Sequence, residues 1–372
     1  MQNNRVFVII TPCSMATGGP EALHQLAHEL NAISNLEALT YYVGERDLAV
    51  TKTYQDIYNI HETKKFDVPN SVVVIPEEID PAFWPTPTGG RKWMWWLSAQ
   101  RVFPLSHYKD CSHLFQSEHA RIQMAALGFY GIMLTDYISE QFFSISTVIK
   151  KKNLIAFNGT KSTIGATILK LTDLSLPLVP IRNLNTKQVF NTLSQAKIYL
   201  DFGWHPGRDR LPREAALCNC LIVSNYTGAA GNSVDLPIPL EYKIAQNDTQ
   251  AIINTLRRFI SEYDTRIGDF SRYQQWVRSQ RSVFQQEVRH FVDNDNHHVK
   301  NDEISTGNLI NGLDLQLLYI QEQLQQLRQL SQNLSVNIEA IIPTFSIKIR
   351  FFSAVNRFFR LARRLIIRLF RL

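Results

Sequence analysis

The chain has 372 residues, 45% of them hydrophobic and 19% charged, which is enough apolar material for two domains and excludes whole-chain disorder and collagen-like repeats. Its formal net charge of +6 is uneven: Lys348, Arg350, Arg357, Arg360, Arg363, Arg364, Arg368 and Arg371 crowd the stretch 343–372, which holds no acid. The other 31 basic residues stand against 33 acidic ones, so the body is nearly neutral and no basic face for nucleic acid is expected.

Arg5–Pro12 is a short apolar run of buried-strand type, and MQNNRVFVIITP reads as a first strand rather than a signal peptide. After the loop CSMATGG, residues Ala22, Leu26, Leu30 and Ile33 share one helical face, with Pro20 in the first turn. Leu39–Val43 and Ser71–Ile75 read as strands. The aromatic-rich run Arg91–Phe103 reads as a helix, and His113–Gln116 as a strand whose following helix Ser117 caps. This alternation predicts a helix-covered parallel sheet.

Past Lys150–Asn153 a second series begins. Leu154–Asn158, Leu178–Ile181, Ile198–Phe202 and Leu221–Ser224 read as strands. Thr163–Leu171, Thr186–Ala196 and Arg210–Cys218 read as helices between them, and Thr249–Tyr263 and Asp269–Val292 as two closing helices. The expected organisation is a domain over 1–150, a second over 151–292, a polar linker over 293–312, a helical segment over 313–341 and a basic helix over 343–372. In 313–341 the spacing of Leu313, Leu317, Ile320, Leu324, Leu327, Leu334 and Ile338 is close to a heptad. It fits either a short self-associating coiled coil or a helix packed on its own domain.

In tandem parallel sheets, ligands sit beyond the carboxyl ends of the strands. Three loops there carry candidate residues. In TGGPE (17–21), Gly18 and Gly19 allow close backbone approach, and the helix start attracts an anion; a tight turn is the alternative. It is neither G-x-G-x-x-G nor a Walker loop. In NGTKS (158–162), Lys161 is placed to meet a phosphate or to stay a solvated turn lysine. The richest loop is DFGWHPGRDRLPREAA (201–216). His205, Arg208 and Asp209 there suit a phosphate or sugar hydroxyls, and Glu214 suits a ribose diol. The alternative is a capping network of Asp209 and Glu214 with Arg210 and Arg213. SNYTGAAGN (224–232), with Gly228, faces the same cleft.

Other features weigh less. Cys13, Cys111, Cys218 and Cys220 are too few for a disulfide scaffold and form no C-x-x-C pair. His24 and His28 lack the Glu of H-E-x-x-H, so no metal site is expected. Asp293, Asn294, Asp295, His297 and His298 read as a solvated loop. Trp93, Trp95 and Trp96 either stack on a sugar or pack in the first core. Ser117 and His119 have no acid partner visible in sequence, so a nucleophilic triad is unsupported.

The opening strand–GGPE–helix, with KIYLDFGWHPGRDRLPREAALCNCLIVSNYTGAAG, resembles family-4-type glycosyltransferases of GT-B fold, nearest those building bacterial surface or extracellular polysaccharides. The resemblance spans roughly residues 5–290 and is specific in those two patches. It implies an α/β chain of two Rossmann-like parallel-sheet domains with a helical C-terminal extension. The 1–150 domain would take the acceptor and the 151–292 domain the nucleotide sugar. It implies transfer from a nucleotide diphosphate sugar to a carbohydrate or lipid-linked acceptor, with retention and no cofactor or metal. Glu214 would bind the ribose and Lys161 the diphosphate, joined by Arg208. The family's second Glu falls at Pro206, so His205 and Asp209 are the nearby substitutes in the catalytic position. A non-catalytic sugar-nucleotide-binding scaffold and an epimerase of the same fold are the alternatives.

In 345–372, Arg357, Arg360, Arg364, Arg368 and Arg371 form one helical stripe opposite Phe352, Phe359, Ile366 and Phe370. Only Arg363 breaks the apolar side. That pattern describes a helix lying in an anionic membrane surface, which would place the protein on the cytoplasmic face; a partner-docking helix or a solvated end is the alternative. No window offers 18 uncharged apolar residues for a span.

Overall fold

A computed structural model describes residues 5–12, 14, 17–45, 47–143, 150–161, 176–245 and 249–296. The helix expected over 163–171, the heptad-like segment 313–341 and the basic stretch 343–372 lie outside the described residues.

The first lobe is a seven-stranded sheet in the order β3-β2-β1-β4-β5-β6-β7, all parallel. Its strands are β1 (Arg5–Pro12), β2 (Leu36–Val43), β3 (His61–Glu62), β4 (Val72–Pro76), β5 (Arg91–Trp96), β6 (Ser112–Phe115) and β7 (Gly131–Met133). In β1, Phe7 and Ile9 enter one core while Val8 and Ile10 enter the other. Both faces of the sheet are covered, which is why the strand is apolar throughout rather than alternating. α1 (Gly18–Asn31) covers one face with Leu23, Leu26 and Leu30. α2 (Leu48–Gln55) and α3 (Glu118–Ala125) follow, and the Ser117 side chain caps α3 by accepting from the Ala120 N–H.

Arg91–Phe103 is not a helix. Its first six residues form β5, with Trp93 and Trp95 in one core and Met94 and Trp96 in the other. The continuous aromatic run is thus a central strand buried on both faces, where aromatic side chains are favoured. The tryptophans are core residues of the sheet.

The second lobe is a four-stranded parallel sheet in the order β11-β10-β8-β9. It comprises β8 (Lys152–Asn158), β9 (Leu178–Ile181), β10 (Ala196–Asp201) and β11 (Leu221–Ser224). α4 (Thr186–Gln195) starts with a capping box between Asn185 and Gln188. α5 (Arg210–Leu217), α6 (Thr249–Ser261) and the short α7 (Tyr263–Arg266) complete it.

The last helix, α8 (Ser271–Asn296), serves both lobes. Tyr273 and Val277 lie in the second core, whereas Phe284, Val288 and Phe291 lie in the first. It runs four residues past Val292 into the stretch expected to be linker. Asp295 is buried there, paired with Arg5 and, at 2.7 Å, Arg91, and it accepts from Trp93 Nε1 at 2.6 Å. The Asp293–Asp295 stretch is therefore the helix's anchor on the first sheet, not a solvated loop. Among the described residues no helix is long and apolar enough to cross a membrane.

Candidate functional site

The carboxyl ends of both sheets meet at one cleft of about 310 Å³. The first lobe brings the start of α1, Glu77 after β4, Ser98 after β5, Gln116 after β6 and Asp136 after β7. The second brings the loop after β10, whose backbone is bonded across the junction. The Ala99 N–H donates to the Pro206 carbonyl at 2.6 Å. The Gln116 amide accepts from the Arg208 N–H at 3.0 Å and donates to the Arg208 carbonyl at 3.1 Å. A side chain at Gly207 would meet the Leu97 carbonyl at 2.5 Å, so only glycine permits this approach.

Three arginines of this loop and helix each take a carboxylate. Arg208 pairs with Asp235 at 3.4 Å and lies 5.1 Å from the Trp276 ring centre. Asp235 in turn accepts from the N–H groups of Glu118 and His119 at the start of α3. Arg210 reaches Glu21 of α1 at 2.5 Å and Glu214 of its own helix at 3.4 Å. Arg213, fully buried, holds Asp136 at 2.8 Å and donates to Gln280 of α8. Burial and the Glu21 carboxylate push the Glu214 carboxyl up against the opposing pull of Arg210. Burial opposes the charge on Asp136, but Arg213 holds its carboxyl below the usual range.

Behind the loop lies a second charged set. The Lys161 ammonium donates to Asp201 Oδ1 at 2.8 Å and Asp209 Oδ2 at 2.6 Å, and His205 Nδ1 is 2.8 Å from the same Asp209 oxygen. Burial works against the Lys161 charge, yet the two carboxylates hold its ammonium above the ordinary range. Burial likewise opposes the Asp209 charge, but His205 and Lys161 hold that carboxyl well below the usual range. Asp201, His205 and Asp209 offer ligand atoms within 4.8 Å of one another, a spacing that suits a cation. The Lys161 ammonium already meets both carboxylates there.

The residues singled out in sequence thus fall into two groups. Gly18, Gly19, Arg208 and Asp209 line the open cleft. Lys161, His205, Glu214 and Gly228 stand behind it. Neither Gly18 nor Gly19 has positive φ; both are in the first turn of α1, so the tight-turn reading fails. A Cβ on Gly18 would come within 2.9 Å of Arg210 Cδ, so this glycine makes room for the arginine. Gly228 has φ +63°, and a Cβ there would meet the His205 carbonyl at 2.0 Å; the Ala229 N–H donates to that carbonyl at 2.8 Å. The expected capping network is present in part, with Arg210 on Glu214 and Arg213 Nε donating to the Asp209 carbonyl. Sequence reading missed Glu77, Asp136 and Asp235. Glu77 had a usable signal, a carboxylate directly after an apolar strand. Asp136 and Asp235 had none, because their partners are 77 and 27 residues away.

No protein-family model and no curated protein matches the chain. Among solved structures, the trehalose-6-phosphate phosphatase N-terminal domain of Candida albicans is similar at TM-score 0.55 and 12% identity, over 80% of this chain and 97% of that one. WaaG, a glycosyltransferase involved in lipopolysaccharide biosynthesis, is similar at TM-score 0.47 and 8% identity, over 77% and 98%. UDP-GlcNAc 2-epimerase from Neisseria meningitidis, bound to UDP-GlcNAc, is similar at TM-score 0.47 and 10% identity, over 78% and 99%. At such identities the likeness is one of fold, and the weight falls on the first of the three and on the strand order. The chain has the GT-B architecture, two Rossmann-like parallel-sheet lobes with a cleft between their carboxyl ends.

Proposed function

We propose that the chain is a glycosyltransferase that moves a sugar from a nucleotide diphosphate sugar to a carbohydrate or lipid-linked acceptor, in polysaccharide synthesis and with retention. The observation that carries this reading is that Arg208, Asp209 and Arg210 line one cleft with the first turn of α1 at the carboxyl ends of both sheets, with Lys161 paired to Asp209 and Glu214 to Arg210 behind them. In this reading Glu214 takes the ribose diol by exchanging Arg210 for two hydroxyls. Lys161 and Arg208 turn to the diphosphate and stabilise the charge that develops as it leaves, so that no metal or other cofactor is needed. His205 and Asp209 set the position of Lys161. The stretch 345–372 holds the protein at the cytoplasmic face of an anionic membrane, and 313–341 supports self-association.

A thermal-shift panel of UDP-, GDP-, ADP- and dTDP-sugars tests the reading. A donor present at a hundred times its Kd adds about 2.7 kcal/mol of stability. Glu214→Gln should abolish most of that gain. If no nucleotide sugar raises the melting temperature, the reading is wrong. One observation favours a second reading: Pro206 offers no carboxylate, and its carbonyl is already used by Ala99. A binding scaffold would retain donor without turnover, and an epimerase would convert it without an acceptor.

A further inference from the structure

We propose that Glu77 is the acceptor-binding carboxylate of the cleft, and that it receives a hydroxyl of a neutral sugar acceptor. The proposal rests on the glycosyltransferase reading above and names the half of the reaction that the charged loops of the second lobe leave open.

Glu77 directly follows β4, the middle strand of the seven, at the carboxyl end where such sheets bind ligands. It is 3% exposed yet lines the same cleft as Arg208 and Arg210. The Leu97 N–H at the end of β5 donates to its Oε2 at 3.0 Å, which fixes the carboxyl group from the neighbouring strand. What sets it apart is its charge partner. Glu21 and Glu214 share Arg210, Asp136 has Arg213, Asp235 has Arg208, and Asp201 and Asp209 share Lys161. Among the described residues no ion pair reaches Glu77, and Glu78 beside it adds a like charge. Burial without a cation pushes its carboxyl up to about 7. A buried, uncompensated carboxylate in a cleft is costly to keep, which is the mark of a site residue rather than of a structural one.

The chemistry of the wall selects the ligand. The first-lobe wall brings Glu78 and no lysine or arginine to the lining, so it favours a neutral group over a phosphate. A sugar hydroxyl donates to a carboxylate, and Ser98 and Gln100 in the same lining bring further polar groups.

The test uses the full chain with saturating UDP, and as probes methyl glucoside, methyl galactoside, methyl mannoside and glucose 1-phosphate. Binding is read by saturation-transfer NMR titration. At least one methyl glycoside should bind, glucose 1-phosphate should bind no better than that glycoside, and Glu77→Gln should weaken the glycoside tenfold or more. Glutamine keeps an oxygen for the Leu97 N–H, so the fold should hold, which the melting temperature checks. If no methyl glycoside binds, if glucose 1-phosphate binds best, or if Glu77→Gln leaves the glycoside affinity unchanged, the proposal is overturned. Nucleotide affinity is measured in parallel on both proteins. If wild-type protein binds no nucleotide, the glycosyltransferase reading fails. If nucleotide binds equally to both while the glycoside is indifferent to Glu77→Gln, only the acceptor assignment fails.

Discussion

The charges of the second lobe's loop and helix come in paired sets, whereas among the described residues no cation pairs with Glu77 on the first-lobe wall. Arg213 with Asp136, and Lys161 with Asp201 and Asp209, are paired sets that hold one backbone arrangement, the first neutral and the second one cation between two carboxylates. Such units contribute little net stability, because burying their charges cancels much of the attraction, but losing one member strands the other. Glu77 is already stranded, so removing its charge should relieve the protein instead. The contrast assigns opposite signs to mutations on the two sides of one cleft.

The largest effect should come from Arg213→Met. Arg213 is fully buried and Asp136 is 2% exposed, so the substitution leaves a buried carboxylate without its ion-pair partner at the junction of the lobes. Breaking such a pair costs about 3–5 kcal/mol. Urea denaturation should show it, and Arg213→Met with Asp136→Asn together should recover part of the loss. A single-mutant loss under 1 kcal/mol would mean the pair is solvated.

Next is Lys161→Met, with an expected loss of about 3 kcal/mol at neutral pH, since Asp201 is fully buried and both carboxylates lose their ammonium. The sign with pH follows from Asp209, whose folded carboxyl titrates below its unfolded value of about 3.9. Its pairing energy is present above that value and is lost as pH falls through the folded one. The gap between wild type and Lys161→Met should therefore persist to about pH 4 and close only in stronger acid. A gap that closes near pH 6 instead would show that the pairing of Asp209 does not set the pH dependence.

How much of this was legible in the chain differs from element to element. α1 could be read because it carries a clean local period, and β1 because its short apolar run is rich in β-branched residues and bounded by turn residues. β5 could not: six residues buried on both faces have no period of two, and the tryptophans imitate a packed helix. The Asp293–Asp295 stretch looked solvated because its partners Arg5, Arg91 and Trp93 are about two hundred residues or more away. In the site, loop 201–216 was visible by composition, since Trp, His, Arg and Asp seldom crowd one loop. Which of its charges face the cleft and which face each other was not visible, because that depends on contacts with Glu21, Asp136 and Asp235.

Glu77→Gln reverses the sign. Its folded carboxyl titrates near 7, above the usual 4.5, so the protonated form is favoured in the fold. The ionised form lowers stability, and wild-type stability should fall as pH rises from about 4.5 to 7. At 1.36 kcal/mol per pKa unit the full effect is about 3 kcal/mol as an upper bound. Glu77→Gln should therefore match wild type at pH 4 and exceed it by 1–3 kcal/mol, roughly, at pH 8. Equal stability at pH 8 would place a cation or solvent at the carboxylate and erase the difference between the walls.

The smallest effect, and the one that probes contact across the cleft, is Gly18→Ala. Alanine in the first turn of α1 should gain something under the roughly 1 kcal/mol that separates glycine from alanine inside a helix. Against this, the new methyl comes within 2.9 Å of Arg210 Cδ and 3.3 Å of its Cγ. An alkyl chain can yield by a few tenths of an ångström, but Arg210 is tied to Glu21 and Glu214 at its far end. Yielding therefore weakens a partly exposed ion pair worth about 1 kcal/mol or less. The two terms offset, and the single mutant should be within about 0.5 kcal/mol of wild type. The informative measurement is the same substitution in an Arg210→Ala background, where the clash is gone and only the helix gain remains. Gly18→Ala should be stabilising there by about 0.5–1 kcal/mol. An identical effect in both backgrounds would show that Arg210 does not rest on Gly18, and the glycine would revert to the role the sequence suggested, an approach path for a ligand's anion.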